Sequence, residues 1–545
     1  MKKRNRLVVL LLTCCMTVSM LAGCGKKAND QNASEPAKQE EQKEATEQKE
    51  VSEEEKFGGT LKIAMAAVAS NIDPVKFTGF YEGQIIENIA DTLVIYSDDL
   101  SEFQGSLATS WESNEAGDEF TFKLRDDVYF HPGKYQDGRK MTAEDVKYSL
   151  ERSHNESALA RLAMLDHCEV IDEYTVKCVL QTPDASFLPA LTNSGNVIVP
   201  KEEVEGWGDE FGAHFVGTGP FMMDEWKTDE GVNFVRFDKY WGGDVYLDGL
   251  NFVYITEVNQ RVNALKNGDV DIACDLAGEG IEDIKADDNL VMSQEPGMGV
   301  SYIYFNMANG PTADIRVRKA LQMAVDREAM VAALYQYGEC QPAYLPLPPA
   351  SWGYDKSLED IIPEYDVEGA KKLLAEAGYP DGFELDFYTV DSATSKKIGE
   401  IFQQFCAQIG VTINIHQAAW GTFSEIGASG NADIISMSWT WFPDPYFYLD
   451  KMFHEESLGT LGNGQQFNIP EVNELLDKAV TISDQEERAK IYKEALKLIV
   501  EQYPQIDYCV GNINTGMSDK VQNYVVRPDK TIEIAGDGHN VWLAK

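Results

Sequence analysis

Hydrophobic and polar residues alternate in short stretches of the first part of the chain, which predicts β-strands. The clearest stretches are 60–65, 120–125 and 233–236. Beyond about residue 306 the pattern becomes helical, and helices are predicted over 315–325 and 484–502. The chain is therefore expected to be a mixed α/β protein.

A βαβ unit is predicted in the second part of the chain. A strand over 383–388 is followed by a helix over 396–408 and a strand over 411–415. A helix of this length returns the chain to the end of the sheet at which the first strand began. The two strands are therefore expected to lie parallel in one sheet.

The stretch from Ser438 to Tyr448 gathers six aromatic residues, two prolines and one carboxylate directly after a predicted strand over 433–437. Open α/β sheets take their ligands at strand ends, and proline stiffens the backbone that carries the rings. The rings can equally well fill a hydrophobic core, so this stretch alone favours neither interpretation.

Length and charge limit the possible functions. The chain has 545 residues, which is too long for one compact core and predicts two or three domains. The formal net charge of −43 argues against a nucleic-acid partner and against capture of an anionic substrate by the overall field. Solubility is the simplest account of the acidity.

The N-terminus has the features of a bacterial lipoprotein signal. A basic head precedes an apolar run over 7–20 that is too short to span a membrane, and Leu21-Ala22-Gly23-Cys24 resembles a lipobox. We expect a signal peptide over 1–23 and lipid on Cys24, followed by a lipidated, disordered acidic linker over 24–56. An ordinary signal peptide with an incidental cysteine, or an uncleaved anchor, are the alternatives.

The other cysteines and the histidines indicate no metal site. The chain contains no CxxC, and its seven histidines, among them His131 and His416, show no regular spacing. Cys168 and Cys178 flank a predicted hairpin. A two-residue turn would place their sulfurs on opposite faces, whereas a three-residue turn would bring them opposite each other. Buried free thiols are the favoured interpretation, and the disulfide state stays open.

Six separated stretches together resemble the extracytoplasmic solute-binding proteins of the dipeptide/oligopeptide/nickel family, family 5, which feed ABC transporters. These stretches, in chain order, are 107–111, 128–150, 217–221, 240–242, 315–321 and 370–378. The lipobox and the linker independently suit a tethered receptor.

The resemblance implies a two-lobed, periplasmic-binding-protein-like α/β fold of type II, cluster C. Lobe I would comprise 57–305 plus 513–545, including an extra subdomain over 93–214, and lobe II would comprise 306–512. The hinge would lie where the chain crosses between the lobes, near Phe305 and Asp507, and its motion would close the lobes on a ligand.

The family pattern also implies ligand-binding residues, each of which could instead belong to a core. The candidates are Phe77, Thr78, Gly79, Tyr304, Asn306, Trp420, Trp439, Trp441 and Asp444. Peptide binders of this family carry an acidic residue just before the Pro-Asp-Pro turn, where it meets the ligand's amino group. Here an ungapped match places Trp441 at that position, with Asp444 and Asp450 nearby.

Either another acid replaces the missing one, or the ligand is not a peptide with a free amino terminus, because a buried ammonium without a counter-charge is costly. The implied function is that of a non-catalytic substrate-binding lipoprotein, most simply for an oligopeptide-like solute. An oligosaccharide or another amphipathic solute is the alternative, since Trp420, Trp439 and Trp441 would suit stacking on sugar rings.

The implied partners are ABC permease and ATPase subunits and the membrane, which the protein would meet as a lipid-anchored monomer outside the cytoplasm. No cofactor is expected. A secreted hydrolase and a surface sensor or adhesin are hypotheses of a different class, but the sequence contains neither a nucleophile elbow nor an HExxH motif.

Overall fold

The computed structural model describes residues 52–440, 442–536 and 540–545. The predicted signal peptide, the lipid site Cys24, most of the linker and Trp441 lie outside the described residues. Within them, no helix has both the length and the apolar character needed to cross a membrane.

The first part of the described chain, up to residue 289, is built mainly from short strands. Its strands are β1 (Thr60–Met65), β2 (Val94–Tyr96), β3 (Phe103–Gly105), β4 (Ala108–Ser113), β5 (Glu119–Leu124), β6 (Leu165–Asp172), β7 (Thr175–Leu180), β8 (Phe221–Lys227), β9 (Gly231–Arg236), β10 (Gly249–Tyr254) and β11 (Ile272–Ala273). Its α-helices are α1 (Glu53–Lys56), α2 (Phe80–Ile86), α3 (Ala143–Glu156), α4 (Phe187–Leu191), α5 (Lys201–Trp207), α6 (Val258–Lys266) and α7 (Glu279–Lys285).

The second part of the chain is richer in helix, as the sequence predicts. Its strands are β12 (Leu290–Phe305), β13 (Cys340–Gln341), β14 (Phe383–Val390), β15 (Val411–Ala418), β16 (Ile434–Thr440), β17 (Gln505–Ser518), β18 (Val521–Gln522) and β19 (Trp542–Leu543). Its α-helices are α8 (Ile315–Met323), α9 (Arg327–Leu334), α10 (Val367–Glu376), α11 (Ala393–Ala407), α12 (Trp420–Ala428), α13 (Tyr446–Phe453), α14 (Pro470–Val480) and α15 (Gln485–Val500).

The predicted βαβ unit is confirmed. β14 and β15 pair in parallel from Phe383↔Val411 to Val390↔Ala418, and α11 connects them. The predicted long helix is also confirmed as α15, and the side chain of Asp484 caps it by accepting a hydrogen bond from the Glu487 amide.

Eleven of the described strands form one sheet, with the order β15-β14-β16-β12-β17-β11-β1-β10-β9-β8 and β13 beside β17. β12 and β17 are its two longest strands, and they pair with each other in antiparallel fashion. The pairing is irregular between Pro296 and Val300, near the middle of β12. The N-terminal half of β12 pairs with the part of β17 that also pairs with β11, and the C-terminal half of β12 pairs with β16 as well as with β17.

Strand directions decide where the loops meet. β1, β10 and β11 are parallel to one another, and β11 is antiparallel to β17, so these three strands run in the direction of β12. β14, β15 and β16 are also parallel to one another, but β16 is antiparallel to β12. Both sets of carboxyl ends therefore point towards the middle of β12, and the loops that follow them face each other.

A second, smaller sheet lies in the region predicted as the extra subdomain. Its antiparallel order is β4-β5-β7-β6, and its hydrophobic cluster contains buried residues from Leu93 to Val216. The domain boundaries inferred from the sequence remain a prediction.

The hairpin between β6 and β7 has the cysteine pairing predicted for a three-residue turn, but it reaches that pairing with a two-residue turn and a bulge. Asp172 pairs with Thr175, which leaves a two-residue turn, but the register shifts between Val170 and Asp172. This bulge brings Cys168 directly opposite Cys178.

A disulfide bond joins β13 to β17 close to the irregular part of β12. It links Cys340 to Cys509, which are 169 residues apart. Cys168, Cys178, Cys274 and Cys406 are buried and unbonded in this structure, as the interpretation of buried free thiols predicts, whereas the bonded Cys340 and Cys509 depart from that interpretation.

Asp507 is a buried carboxyl on β17, opposite Tyr302 of β12. Its side chain accepts a hydrogen bond from the amide of Gln505, while Arg327 donates to its backbone carbonyl rather than to the carboxylate. Burial raises the pKa of Asp507 to about 7, although Gln505 and Arg327 oppose the shift.

We predict that Asp507→Asn removes a pH-dependent penalty. An acid whose pKa is higher in the folded state binds its proton more tightly there, so the folded state loses stability as pH rises from the unfolded pKa to about 7. The free energy of unfolding is measured by denaturant titration at about pH 5 and about pH 8. Between these two values it should fall by roughly 2 kcal/mol more for the wild type than for the variant. The exposed Asp288→Asn is the control, and parallel pH profiles for wild type and Asp507→Asn would contradict the prediction.

Candidate ligand-binding site

The loops that face each other across the middle of β12 carry exposed aromatic rings. Phe80 follows the loop after β1, Trp420 follows β15, and Phe442 lies just beyond β16. Their exposed fractions are 48%, 59% and 41%. All three rings follow strand ends that point towards the middle of β12, and strand ends are where open α/β sheets take their ligands.

The loop after β1 contains three of the predicted site residues, and they differ in position. Phe77 is buried, with the Arg161 guanidinium 4.1 Å from its ring centre, and belongs to the core. Thr78 is exposed, and Gly79 is partly buried at the N-terminus of α2. A Cβ atom on Gly79 would lie 2.2 Å from Glu82 Oε2, so the absence of a side chain lets this carboxylate approach the loop.

A polar cluster that the sequence did not predict lies beside Phe80. Tyr81 donates a hydrogen bond to Asp275 Oδ2 at 2.9 Å, and Lys530 Nζ lies 2.7 Å from Asp275 Oδ1. The same ammonium lies 5.7 Å from the Phe80 ring centre. Burial and the nearby Asp275 raise the pKa of Tyr81, so its hydroxyl stays protonated. The negative charge of Asp275 is therefore neutralised before any ligand arrives.

The Pro-Asp-Pro turn is held by a buried ion pair. The Asp444 carboxylate accepts two hydrogen bonds from Arg488 of α15, at 2.8 and 3.1 Å, and one from the Tyr446 amide. Both side chains are almost completely buried, at 0% and 2% exposure. Burial raises the pKa of Asp444, and the Arg488 charge opposes that shift. The ligand contact predicted for Asp444 stays a prediction. In this structure the Asp444 carboxylate is hydrogen-bonded to Arg488.

Tyr304 and Asn306 lie at the end of β12, where the sequence predicts a crossing between lobes. Asn306 is buried, donates to the carbonyls of Gly430 and Ala432, and accepts from two following backbone amides. Tyr304 is completely buried, and its hydroxyl has no hydrogen-bond partner among the described residues. Asn306 thus fixes the turn after β12, while Tyr304 packs in a hydrophobic cluster.

The tryptophans also divide by exposure. Trp420 is the first residue of α12 and has the most exposed ring of the candidates that the structure describes, whereas Trp439 is partly buried against the cluster that contains Tyr304. Trp441 lies outside the described residues. Thr78 and Gly79 thus lie in the loop after β1, Trp420 follows β15 and Trp439 lies near the end of β16, all at strand ends that point towards the middle of β12. Sequence reasoning missed Phe80 and the Asp275 cluster because neither exposure nor long-range pairing is visible in a local pattern.

No group of three or more metal-ligating side chains is present among the described residues. Burial lowers the pKa of His131 to about 4, and its Nε2 lies 2.8 Å from the Gly219 carbonyl. His416 pairs with Asp386 on the exposed face of β14 and β15, at 2.9 Å. Both histidines therefore have structural partners.

Two sets of parallel strands that point at each other across a pair of long strands place opposite each other the strand ends at which α/β sheets take ligands, which is the arrangement expected of a two-lobed ligand-binding protein. Comparison with known proteins agrees with this class. Residues 102–459 match the family model described as bacterial extracellular solute-binding proteins, family 5. The chain belongs to this family.

Two relatives of similar sequence are named for the ligands that they bind. The chain is 30% identical over 469 residues to heme-binding protein A of Haemophilus influenzae, an alignment that covers 81% of this chain and 85% of that protein. It is 27% identical over 449 residues to the dipeptide-binding protein of Escherichia coli, covering 77% of this chain and 83% of that protein.

Solved structures confirm the two-lobed fold. HbpA2 from Haemophilus parasuis superposes with a TM-score of 0.83 at 26% identity, covering 89% of this chain and all of that one (100%). The murein tripeptide-binding protein MppA, in an unliganded open form, gives 0.81 at 25% identity, covering 90% and 98%. DppA from Helicobacter pylori in complex with a peptide gives 0.67 at 28% identity, covering 90% and 99%.

We predict that Arg488→Met strongly destabilises the protein. The substitution leaves the Asp444 carboxylate buried without its counter-charge, which should cost about 3–5 kcal/mol of unfolding free energy in a denaturant titration. Adding Asp444→Asn to the same chain should recover much of the loss, because the uncompensated charge is then removed.

The matched control is Lys490→Ala on the same helix. Lys490 is exposed and forms an i,i+4 pair with Glu486, so its loss should change the unfolding free energy by less than about 0.5 kcal/mol. An Arg488→Met variant as stable as this control would show that the ion pair does not hold the turn.

Proposed function

We propose that this protein is the substrate-binding lipoprotein of an ABC importer. It captures an oligopeptide-like solute between its two lobes and delivers the solute to a membrane permease and its ATPase. The observation that supports this proposal most directly is the exposed aromatic surface of Phe80, Trp420 and Phe442 at facing strand ends. Family membership supports the same role, because the family is a class of solute-binding proteins and not of enzymes.

The solved relatives support closure of the lobes on a ligand. The chain superposes better on the unliganded open form of MppA than on the peptide complex of DppA, although the DppA sequence is slightly more similar. A change in the angle between two otherwise similar lobes produces such a difference. We infer that the described conformation is open and that ligand brings the facing loops together.

The chemistry of the cleft bears on the ligand class. Asp275 is neutralised by Lys530, Asp444 is paired with Arg488, and Trp441 stands where peptide binders have an acid. An oligosaccharide or another amphipathic solute is therefore the second candidate, and the exposed Trp420 ring favours it because such rings stack on sugars and on other planar groups.

We predict that Trp420→Ala weakens ligand binding about tenfold, because it removes the most exposed ring of the site. A thermal-shift screen identifies the ligand class first, using short peptides with free amino termini, the same peptides acetylated, maltotetraose and heme. Affinity for the ligands that raise the melting temperature is then measured by calorimetry with both proteins. Equal response to free and acetylated peptides would show that no acid meets the amino terminus.

Tyr365→Ala is the matched control, since Tyr365 is an aromatic residue of similar exposure, 44%, that packs beside Phe405 rather than at the facing loops. This variant should bind as the wild type does. If Trp420→Ala also binds every ligand normally, the proposed aromatic surface is not the ligand site.

We further propose that lipid on Cys24 anchors the protein to the cell membrane after removal of 1–23, with 24–56 as the tether. Cys24→Ser should move the protein from the detergent phase to the aqueous phase of a detergent partition and abolish incorporation of a labelled fatty acid. Cys15→Ser, which alters a cysteine within the predicted signal peptide, should change neither result. Unchanged labelling of Cys24→Ser would contradict lipidation at this residue.

A further inference from the structure

Two thiols meet across the edge of the small antiparallel sheet. Cys168 of β6 lies directly opposite Cys178 of β7, and their sulfur atoms are 3.5 Å apart and unbonded. Both side chains are buried, at 1% and 0% exposure. The solute-binding function assigns no role to either residue.

The hydrogen bonds of the Cys168 backbone show which type of antiparallel cross-strand pair Cys168 and Cys178 form. Its amide donates to Glu151 Oε1 of α3 at 3.0 Å, and its carbonyl accepts a hydrogen bond from Lys147 of the same helix. Because both backbone groups point away from β7, Cys168 and Cys178 form a non-hydrogen-bonded antiparallel pair. Such pairs bring Cα atoms to about 4.5 Å and side chains closer than hydrogen-bonded pairs do, which is within the span of a disulfide.

We propose that Cys168 and Cys178 are joined by a disulfide bond in the exported protein. The proposal rests on the extracytoplasmic location included in the proposed function, because disulfides form and persist outside the cytoplasm. It adds a second covalent link, within the small sheet, to the Cys340–Cys509 bond of the large sheet.

The oxidation is a thiol–disulfide exchange with a donor disulfide, such as that of an oxidoreductase or of oxidised glutathione. One cysteine thiolate attacks a donor sulfur and releases a donor thiol, and the second cysteine then attacks the mixed disulfide and releases the other donor thiol. The two cysteines lose two protons and two electrons, and the donor disulfide is reduced to two thiols.

The timing of this exchange follows from burial. The hydrogen bond between Cys178 and Cys168, together with burial, raises the pKa of the Cys178 thiol. The folded, reduced pair therefore contains little thiolate. The hairpin itself is local in sequence and can form before α3 covers its edge. The exchange therefore belongs to folding, and reductant should reach the finished bond only after unfolding.

Trypsin provides a direct test, because Lys177 lies between the two cysteines. Exported full-length protein is unfolded in acidic urea with a maleimide to trap thiols, and is digested without reduction. We expect peptides 162–177 and 178–201 to appear as one linked species that separates on reduction, in the same digest in which Cys274 and Cys406 appear as maleimide adducts. Separate, maleimide-labelled peptides 162–177 and 178–201 would overturn the proposal.

Two further measurements keep the result independent of any one preparation. Protein refolded in a glutathione redox buffer should give the same linked species, and its absence there would also count against the bond. Cys168→Ala should lower the melting temperature by several degrees under non-reducing conditions, whereas Cys406→Ala should not alter the linked species. Ligand binding is measured on the same sample, so a missing disulfide with intact binding refutes this inference alone.

Discussion

The antiparallel pairing of β12 with β17 is the constraint on which the rest of the structure depends. β17 pairs with β11 of the first part of the chain, and β12, which pairs with β17 along most of its length, also pairs with β16 of the second part. Because their backbone groups must be satisfied along the whole length, the two halves become parts of one sheet. The pairing is interrupted where Pro296, which has no amide hydrogen to donate, is followed by Gly297 and Gly299. The connection is therefore continuous but weakest at the level of the facing loops.

The facing loops carry exposed rings, whereas the carboxylates near them have partners. An uncompensated carboxylate that lost water would be costly. Asp275 and Asp444 each have a cationic partner, Lys530 and Arg488 respectively, whereas Trp420 and Phe442 are open to solvent.

Much of the fold could be predicted from the sequence because its signals are local. The β14–α11–β15 unit and the Asp484 cap of α15 follow from periodicity and capping preference. The site was less predictable, since its features depend on contacts between distant residues. Asp444 and Arg488 are 44 positions apart, and Phe77 and Phe80 are near neighbours of which one is buried and the other exposed. The bulge before Asp172 is a further example, because a shift of one residue decides whether two sulfurs meet.

The two halves also touch at a second place, and this limits how they can move. The N-terminal end of α15 lies against the region of the small sheet, where Gln485 donates to the Ser101 carbonyl and Arg488 donates to the Ala185 carbonyl. The Ala185 amide in turn donates to the carbonyl of Val480, the last residue of α14. Since Arg488 also holds the Asp444 turn, one buried side chain joins this contact to the Pro-Asp-Pro turn after β16. A closing motion must therefore turn about this contact or break it. Turning about it keeps Arg488 and Asp444 buried, whereas breaking it would remove the Ala185 carbonyl from Arg488 and expose the ion pair to water.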